Sequence, residues 1–144
     1  MSPFALPKAS LCLLGLDHAH AGGETLDGLL DAFGGGIEIT LLCAVPKGSG
    51  LGTSSVLGGV ILAALSRFFG RPVVADELIR QVLQVEQMLT TGGGWQDQIG
   101  GLVPGVKCIE SRPGLRPHPV VHQLDPFLFQ DPASLECFTL FYTG

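Results

Sequence analysis

Pro46-Lys47-Gly48-Ser49-Gly50-Leu51-Gly52-Thr53-Ser54-Ser55 joins two stretches of different character. Before it, Ile37 to Val45 is β-branched and largely apolar, the pattern of a strand that Pro46 stops. After it, Ser54 to Phe69 is apolar nearly all round, the pattern of a helix buried on most sides and ended by Gly70 and Pro72. Thr53, Ser54 and Ser55 suit the start of that helix, because a hydroxyl oxygen there can accept from a first-turn N–H that has no partner within the helix. A glycine-rich passage from strand to helix lets successive N–H groups converge on one concavity, and the helix end adds partial positive charge. A phosphate suits such a place; a tight turn that needs glycine for positive φ would use the same residues. The loop is not a Walker A loop, because Lys47 precedes the glycines instead of following them. Nor is it a dinucleotide fingerprint, since Gly48, Gly50 and Gly52 lack the third-glycine spacing.

Outward from the loop, Glu24 to Phe33 reads as a short helix with Leu26, Leu29, Leu30 and Phe33 on one stripe. Asp76 to Thr90 reads as another, opened by Asp76 and Glu77, whose charges suit the positive end of the helix dipole. Beyond Gly105 come short strands, Val106 to Ile109, Val120 to Leu124 and Phe138 to Tyr142, separated by proline-rich turns. The order predicts an α+β fold, with helices packed on one face of a mostly antiparallel sheet. Residues 1–26 receive no firm assignment. Their apolar run, Leu11 to Leu16, leads into Asp17-His18-Ala19-His20 rather than a small-residue cleavage site, so no signal peptide is expected.

A chain of 144 residues suits one domain, and 46% apolar against 15% charged residues is the balance of a packed interior. The mean hydropathy of +0.42 raises the question of a membrane span. The longest uncharged, strongly apolar run, Val56 to Leu65, falls well short of the ~20 residues that a spanning helix needs, so no membrane partner is expected. A net charge of −5, with its eight Lys and Arg scattered, also speaks against nucleic acid. Cys12, Cys43, Cys108 and Cys137 are too far apart to chelate zinc or to form a dense disulfide framework, and read as reduced cytoplasmic thiols.

Two acidic residues stand out. On a wheel advancing about 100° per residue, Glu86 falls about 20° from Ile79, inside the stripe of Leu78, Val82, Leu83, Val85 and Leu89. Burying an unpaired carboxylate costs several kcal/mol, so Glu86 should hold a cation, meet a buried Arg or Lys, be protonated, or accept N–H bonds from a neighbouring loop. Mg²⁺ suits the first case, because it binds hard oxygens and is completed by phosphates and water. Asp97 lies in Thr90-Thr91-Gly92-Gly93-Gly94-Trp95-Gln96-Asp97-Gln98, flanked by amides. It can accept a proton from a substrate hydroxyl, or simply make an Asx turn. His18 with His20 lacks a third ligand nearby, and Pro117 and Pro119 forbid the helix that would make the His118/His122 spacing useful, so neither pair is carried further.

The loop, Glu86 and Asp97, in this order, resemble the GHMP kinase superfamily, whose Pro-x-x-x-Gly-Leu-Gly-Ser-Ser motif is matched by Pro46 to Ser54 with Thr53 for the first serine. Within it, Gly48 to Ser55 and Thr90 to Gln98 are most similar to the L-fucose kinases. The resemblance spans residues 27–144 and implies a partial GHMP kinase domain with an α+β core. It implies ATP-dependent phosphorylation of the anomeric hydroxyl of L-fucose, with ATP and Mg²⁺ as cofactors, on the salvage route to GDP-fucose. It places ATP phosphates on Gly48, Ser49, Gly50, Leu51, Gly52, Thr53 and Ser54, the magnesium ligands on Ser54 and Glu86, and the catalytic aspartate on Asp97. Thr53 and Ser54 both stand at the helix start, and the sequence leaves open which of them meets the metal.

GHMP kinases also carry an N-terminal sugar-binding motif and a C-terminal glycine-rich motif. Phe33-Gly34-Gly35-Gly36 is not the former, and the latter is not found, so a core incomplete at both ends is expected. Three functions stay open: a kinase, a nucleotide- or sugar-binding module without turnover, and an interaction fragment that self-associates through uncovered apolar surface.

Overall fold

The computed structural model describes residues 4–16, 25–45, 48–89, 94–114, 118–139 and 141. Pro46, Lys47, Thr90 to Gly93, the Asp17 to His20 stretch and Tyr142 lie outside the described residues. The chain forms two compact units, residues 1–103 and 104–144.

The first unit is built from helices α1 (Ala5–Leu13), α2 (Leu26–Phe33), α3 (Thr53–Phe68), α4 (Ala75–Met88) and α5 (Gln96–Leu102). Helix α3 lies at its centre and packs against α1, α4 and α5. Leu62 of α3, Val82 and Val85 of α4 and Ala9 of α1 form the buried cluster, with Leu6, Leu13, Leu78, Leu89 and Leu102 closing around it. Neighbouring helices bury Ile61, Leu62 and Leu65, while Val60 and Phe68 stay 57% and 68% exposed, so α3 is less enclosed than its nearly all-round apolar sequence suggests. Local signals end the helices as expected. Gly34, at φ 79°, closes α2 in a Schellman turn, its N–H donating to Asp31 and that of Gly35 to Leu30. Thr25 opens the same helix by accepting from Gly28 N at 3.2 Å.

Helices α3 and α5 cross closely because each offers a glycine to the other. Gly59 of α3 lies beneath Leu102, whose methyl groups occupy the space a Cβ would take, and a Cβ on Gly101 of α5 would stand 2.5 Å from Val56 Cγ2. Val56 is β-branched and has little χ1 freedom in a helix, so it cannot swing aside. Gly101→Ala is therefore expected to destabilise the fold by about 1–2 kcal/mol, overpacking outweighing the gain in helix propensity. Urea unfolding of the full chain checks this, and a midpoint equal to or above that of the parent would contradict it.

Three expectations are corrected. Ile37 to Val45 is extended but in no ladder: Ile37 and Ile39 are half-buried, Glu38 and Thr40 exposed, and no strand pairs with the segment among the described residues. The β-branched, largely apolar composition was legible, but a strand also needs a neighbour's N–H and C=O groups. Residues 36–41 instead lie beside α3, lining a cavity of about 410 Å³ with Val60, Ile61, Ala64, Leu65 and Phe68. The second correction concerns the start of α3, where the cap position is Gly52 and no side-chain hydroxyl caps the first turn. The third is that Phe138, Thr139 and Phe141 form no strand, Leu140 and Tyr142 lying outside the described residues. Helices α1 and α5, unassigned from sequence, complete the core.

In the second unit, β1 (Lys107–Glu110) pairs antiparallel with β2 (Val120–Gln123), Cys108 opposite His122 and Ile109 opposite Val121. A 3₁₀ turn (Pro126–Phe129) and a short helix α6 (Pro132–Leu135) follow. Both have proline in the first turn, where no N–H is needed, and an aspartate cap: Asp125 accepts from Phe127 N at 2.9 Å, Asp131 from Ser134 N at 3.0 Å. No described residue of this unit is buried, and Phe127, Phe129, Phe138 and Phe141 are exposed. The architecture is α+β, its sheet a two-stranded antiparallel pair.

Candidate functional site

The glycine loop occupies the start of α3. Gly48, Gly50 and Gly52 have φ values of 81°, 70° and 62°, a region that residues with a Cβ rarely adopt. Gly52 is also in close approach, because a Cβ there would meet Asp97 Cβ and Cγ at 3.3 Å. The first ordinary helical bond runs from Val56 N to Gly52 O at 3.2 Å. With no side-chain cap on the first turn, its backbone N–H groups face outward from the positive end of the helix dipole.

A cavity of about 660 Å³ opens at this point. Its walls are Gly48 to Ser54, with Cys43 and Val45 from the extended segment, Leu6 from α1, Leu57 from α3 and Asp97 from α5. The structure therefore brings together the whole described loop and Asp97, residues far apart in sequence. Asp97 is exposed in the first turn of α5. The sequence at this point is helical, so Asp97 is presented from a packed element and not from a free glycine turn.

Glu86 sits in the interior, 8% exposed, on the face of α4 that the wheel assigned to it. Ser55 Oγ donates to its Oε1 at 2.5 Å, and Gln98 Nε2 donates to its Oε2. Ser55 and Gln98 are themselves 1% and 0% exposed. Neither was singled out in the sequence as a partner of Glu86. The signal lies in helical rotation, since a step of one residue turns about 100°. Ser54 is exposed on the cavity wall while Ser55 points to Glu86, and Asp97 is exposed at the cavity while Gln98 points to Glu86. The cavity and the buried carboxylate are thus joined through two pairs of consecutive residues, one on α3 and one on α5.

Of the two side chains expected to hold Mg²⁺, Ser54 lines the cavity and Glu86 does not: both Glu86 oxygens accept from the buried Ser55 and Gln98, so the described arrangement does not bring Glu86 and Ser54 to one cation position. Among the described residues no group of three or more His, Cys, Asp or Glu could hold a metal ion. No described helix is long and apolar enough to cross a membrane.

A glycine loop at the start of α3 that lines a cavity with an acidic residue suits a phosphate beside a proton acceptor, and the family comparison bears on that arrangement. Residues 20–105 match the GHMP kinases N terminal domain, and the chain belongs to that family. It is 46% identical over 145 aligned residues to the L-fucokinase/L-fucose-1-P guanylyltransferase of Bacteroides fragilis, an alignment covering 99% of this chain and 15% of that protein. It is 38% identical over 126 aligned residues to the bifunctional fucokinase/GDP-fucose pyrophosphorylase of Arabidopsis thaliana, covering 88% of this chain and 11% of the relative. The chain thus spans about a seventh and a ninth of these relatives' lengths. No solved structure matches it.

Proposed function

We propose that this chain carries the phosphate-binding and proton-accepting half of an L-fucose kinase site. The observation that carries the reading is the single cavity shared by Gly48 to Ser54 and Asp97. In the reaction, the anomeric hydroxyl oxygen of L-fucose bonds to the γ-phosphorus of ATP as the bond to the β,γ-bridging oxygen breaks, giving L-fucose 1-phosphate and ADP. Asp97 accepts or orients the hydroxyl proton, while the loop N–H groups and the α3 terminus hold the phosphates. Mg²⁺, which the family resemblance assigns to Ser54 and Glu86, would supply neutralisation of phosphate charge when bound, and Glu86 would have to exchange a bond to Ser55 or Gln98 for it. The substrate is proposed from the fucokinase activity for which both relatives are named, and four free cysteines suit a reducing compartment such as the cytoplasm.

Thermal unfolding of the full chain with and without Mg·ATP and L-fucose tests the reading. Ligand at a hundredfold excess over Kd adds about 2.7 kcal/mol to stability, a rise of several degrees for a domain of this size. A transition unmoved by Mg·ATP would overturn it. A second reading, association with further polypeptide, is favoured by the exposed aromatics of the second unit and by the unpaired extended segment 37–45. Sedimentation velocity separates this reading from a monomer.

A further inference from the structure

We propose that Glu86 is a positioning residue: accepting from Ser55 of α3 and from Gln98 of α5 at once, its carboxylate ties the starts of these two helices together and so sets where Asp97 stands against the glycine loop. The tie needs no cation. Its bearing on catalysis rests on the kinase reading of Asp97 and deepens that reading.

Two contacts hold the far end of α5. A Cβ on Gly101 would meet Val56, and a Cβ on Gly59 would meet Leu102, so α3 and α5 already stand there as close as these side chains allow. Such an end is a pivot. Asp97 lies four residues before Gly101, about 6 Å along the helix, so a small rotation at the pivot would carry it toward or away from Gly52. In the first turn of α5, Gln96 and Asp97 are exposed, and Gln98 is the first side chain to enter the interior.

The restraint at this near end is the pair of hydrogen bonds. Ser55 Oγ donates to Glu86 Oε1 at 2.5 Å and Gln98 Nε2 to Oε2, and Glu86, Ser55 and Gln98 are 8%, 1% and 0% exposed, so water does not compete for these charge-assisted bonds. Apolar contact is non-directional, whereas a hydrogen bond weakens steeply as its angle departs from linear, so the tie fixes a rotation that packing alone leaves free. Each donor is also next in the chain to a residue of the cavity wall, Ser55 to Ser54 and Gln98 to Asp97. One carboxylate therefore sets both walls. Gln98 carries a further sign of this use. Its Oε1 is buried with no hydrogen-bond partner among the described residues, an unsatisfied atom that a leucine or methionine of similar volume would not bring, so the N–H end is what the site employs.

Nuclear Overhauser contacts in the full chain test the inference. In the parent, Asp97 Hβ should lie against Gly52 Hα, and the Val56 methyl groups against Gly101 Hα. Gln98→Met keeps the volume and removes the donor. It is expected to lose the Gly52–Asp97 contact and keep the Val56–Gly101 contact, with phosphoryl transfer at saturating Mg·ATP falling about 100-fold, the scale of a 1 Å misplacement, and Mg·ATP affinity staying close to that of the parent. Should that variant fail to unfold cooperatively, Ser55→Ala, which removes one oxygen atom, is expected to lose the same contact. A Gly52–Asp97 contact of parental strength in the variants would overturn the inference. So would loss of both contacts together, the mark of a general loosening of the core, or undiminished transfer once the first contact is gone. A parent that shows both contacts but transfers no phosphoryl group to L-fucose sinks the kinase reading instead, a result separate from the tie, which the contacts in parent and variants uphold or overturn by themselves.

Discussion

Asp97→Asn is expected to lower phosphoryl transfer to L-fucose by about 10²–10⁴-fold, the range usually lost with a positioned general base, while Mg·ATP binding stays close to that of the parent. Asparagine keeps the size and the hydrogen-bonding reach of aspartate but cannot accept a proton. The near-isosteric change matters here, because Asp97 Cβ and Cγ pack against Gly52, so a larger residue would push the loop and confound chemistry with binding. Asp97 is exposed at the cavity and takes no part in the buried Glu86 cluster, so the variant should unfold at the parental temperature. Single-turnover release of ADP in the presence of L-fucose, with binding measured separately, gives both readings. Undiminished turnover would remove Asp97 from the reaction, and lost binding with residual turnover in proportion would reassign it to the nucleotide site.

The split between what the sequence showed and what it hid follows from the range of the forces involved. Helices α2, α3 and α4 were legible because their signals are local: a stripe at helical spacing, Asp76 and Glu77 in a first turn, glycines at Gly34 and Gly70 where a left-handed residue ends the helix. The burial of Glu86 was legible for the same reason, since a wheel needs only one helix. Helix α5 was hidden because Gly100 and Gly101 lower its intrinsic helicity, and Gly101 is there for the approach of Val56, a contact across 45 positions of sequence. The segment 37–45 showed its β-branched, apolar composition but not its lack of a ladder partner among the described residues, because pairing belongs to two segments and composition to one. At the site, the residue types were legible and their directions were not. The motif ends at Thr53 and Ser54, yet the placement of α3 against α4 turns the next residue, Ser55, to Glu86.

Glu86→Ala and Glu86→Gln should separate the structural task that its hydrogen bonds show from the magnesium task proposed for the same carboxylate. Alanine strips both acceptors from the interior and leaves the Ser55 hydroxyl and the Gln98 amide as buried donors. Each orphaned donor costs about 1–3 kcal/mol, so a loss of about 2–5 kcal/mol is expected, a large share of the ~5–15 kcal/mol that holds a domain of this kind together. Glutamine fills the same volume and keeps one oxygen as acceptor, so at most one of the two bonds is lost and the cost should be about 1–2 kcal/mol. Nucleotide binding should not follow this order. Neither variant offers an anionic oxygen, so both should bind ATP with Mg²⁺ no better than without it, although one is nearly stable and the other badly destabilised. Urea unfolding and paired titrations with Mg²⁺ and with EDTA supply the two axes. A Glu86→Gln protein that keeps the full magnesium-dependent gain would show that the charge in the core serves folding alone; a Glu86→Ala protein as stable as the parent would show that Ser55 and Gln98 find other partners when the carboxylate is gone.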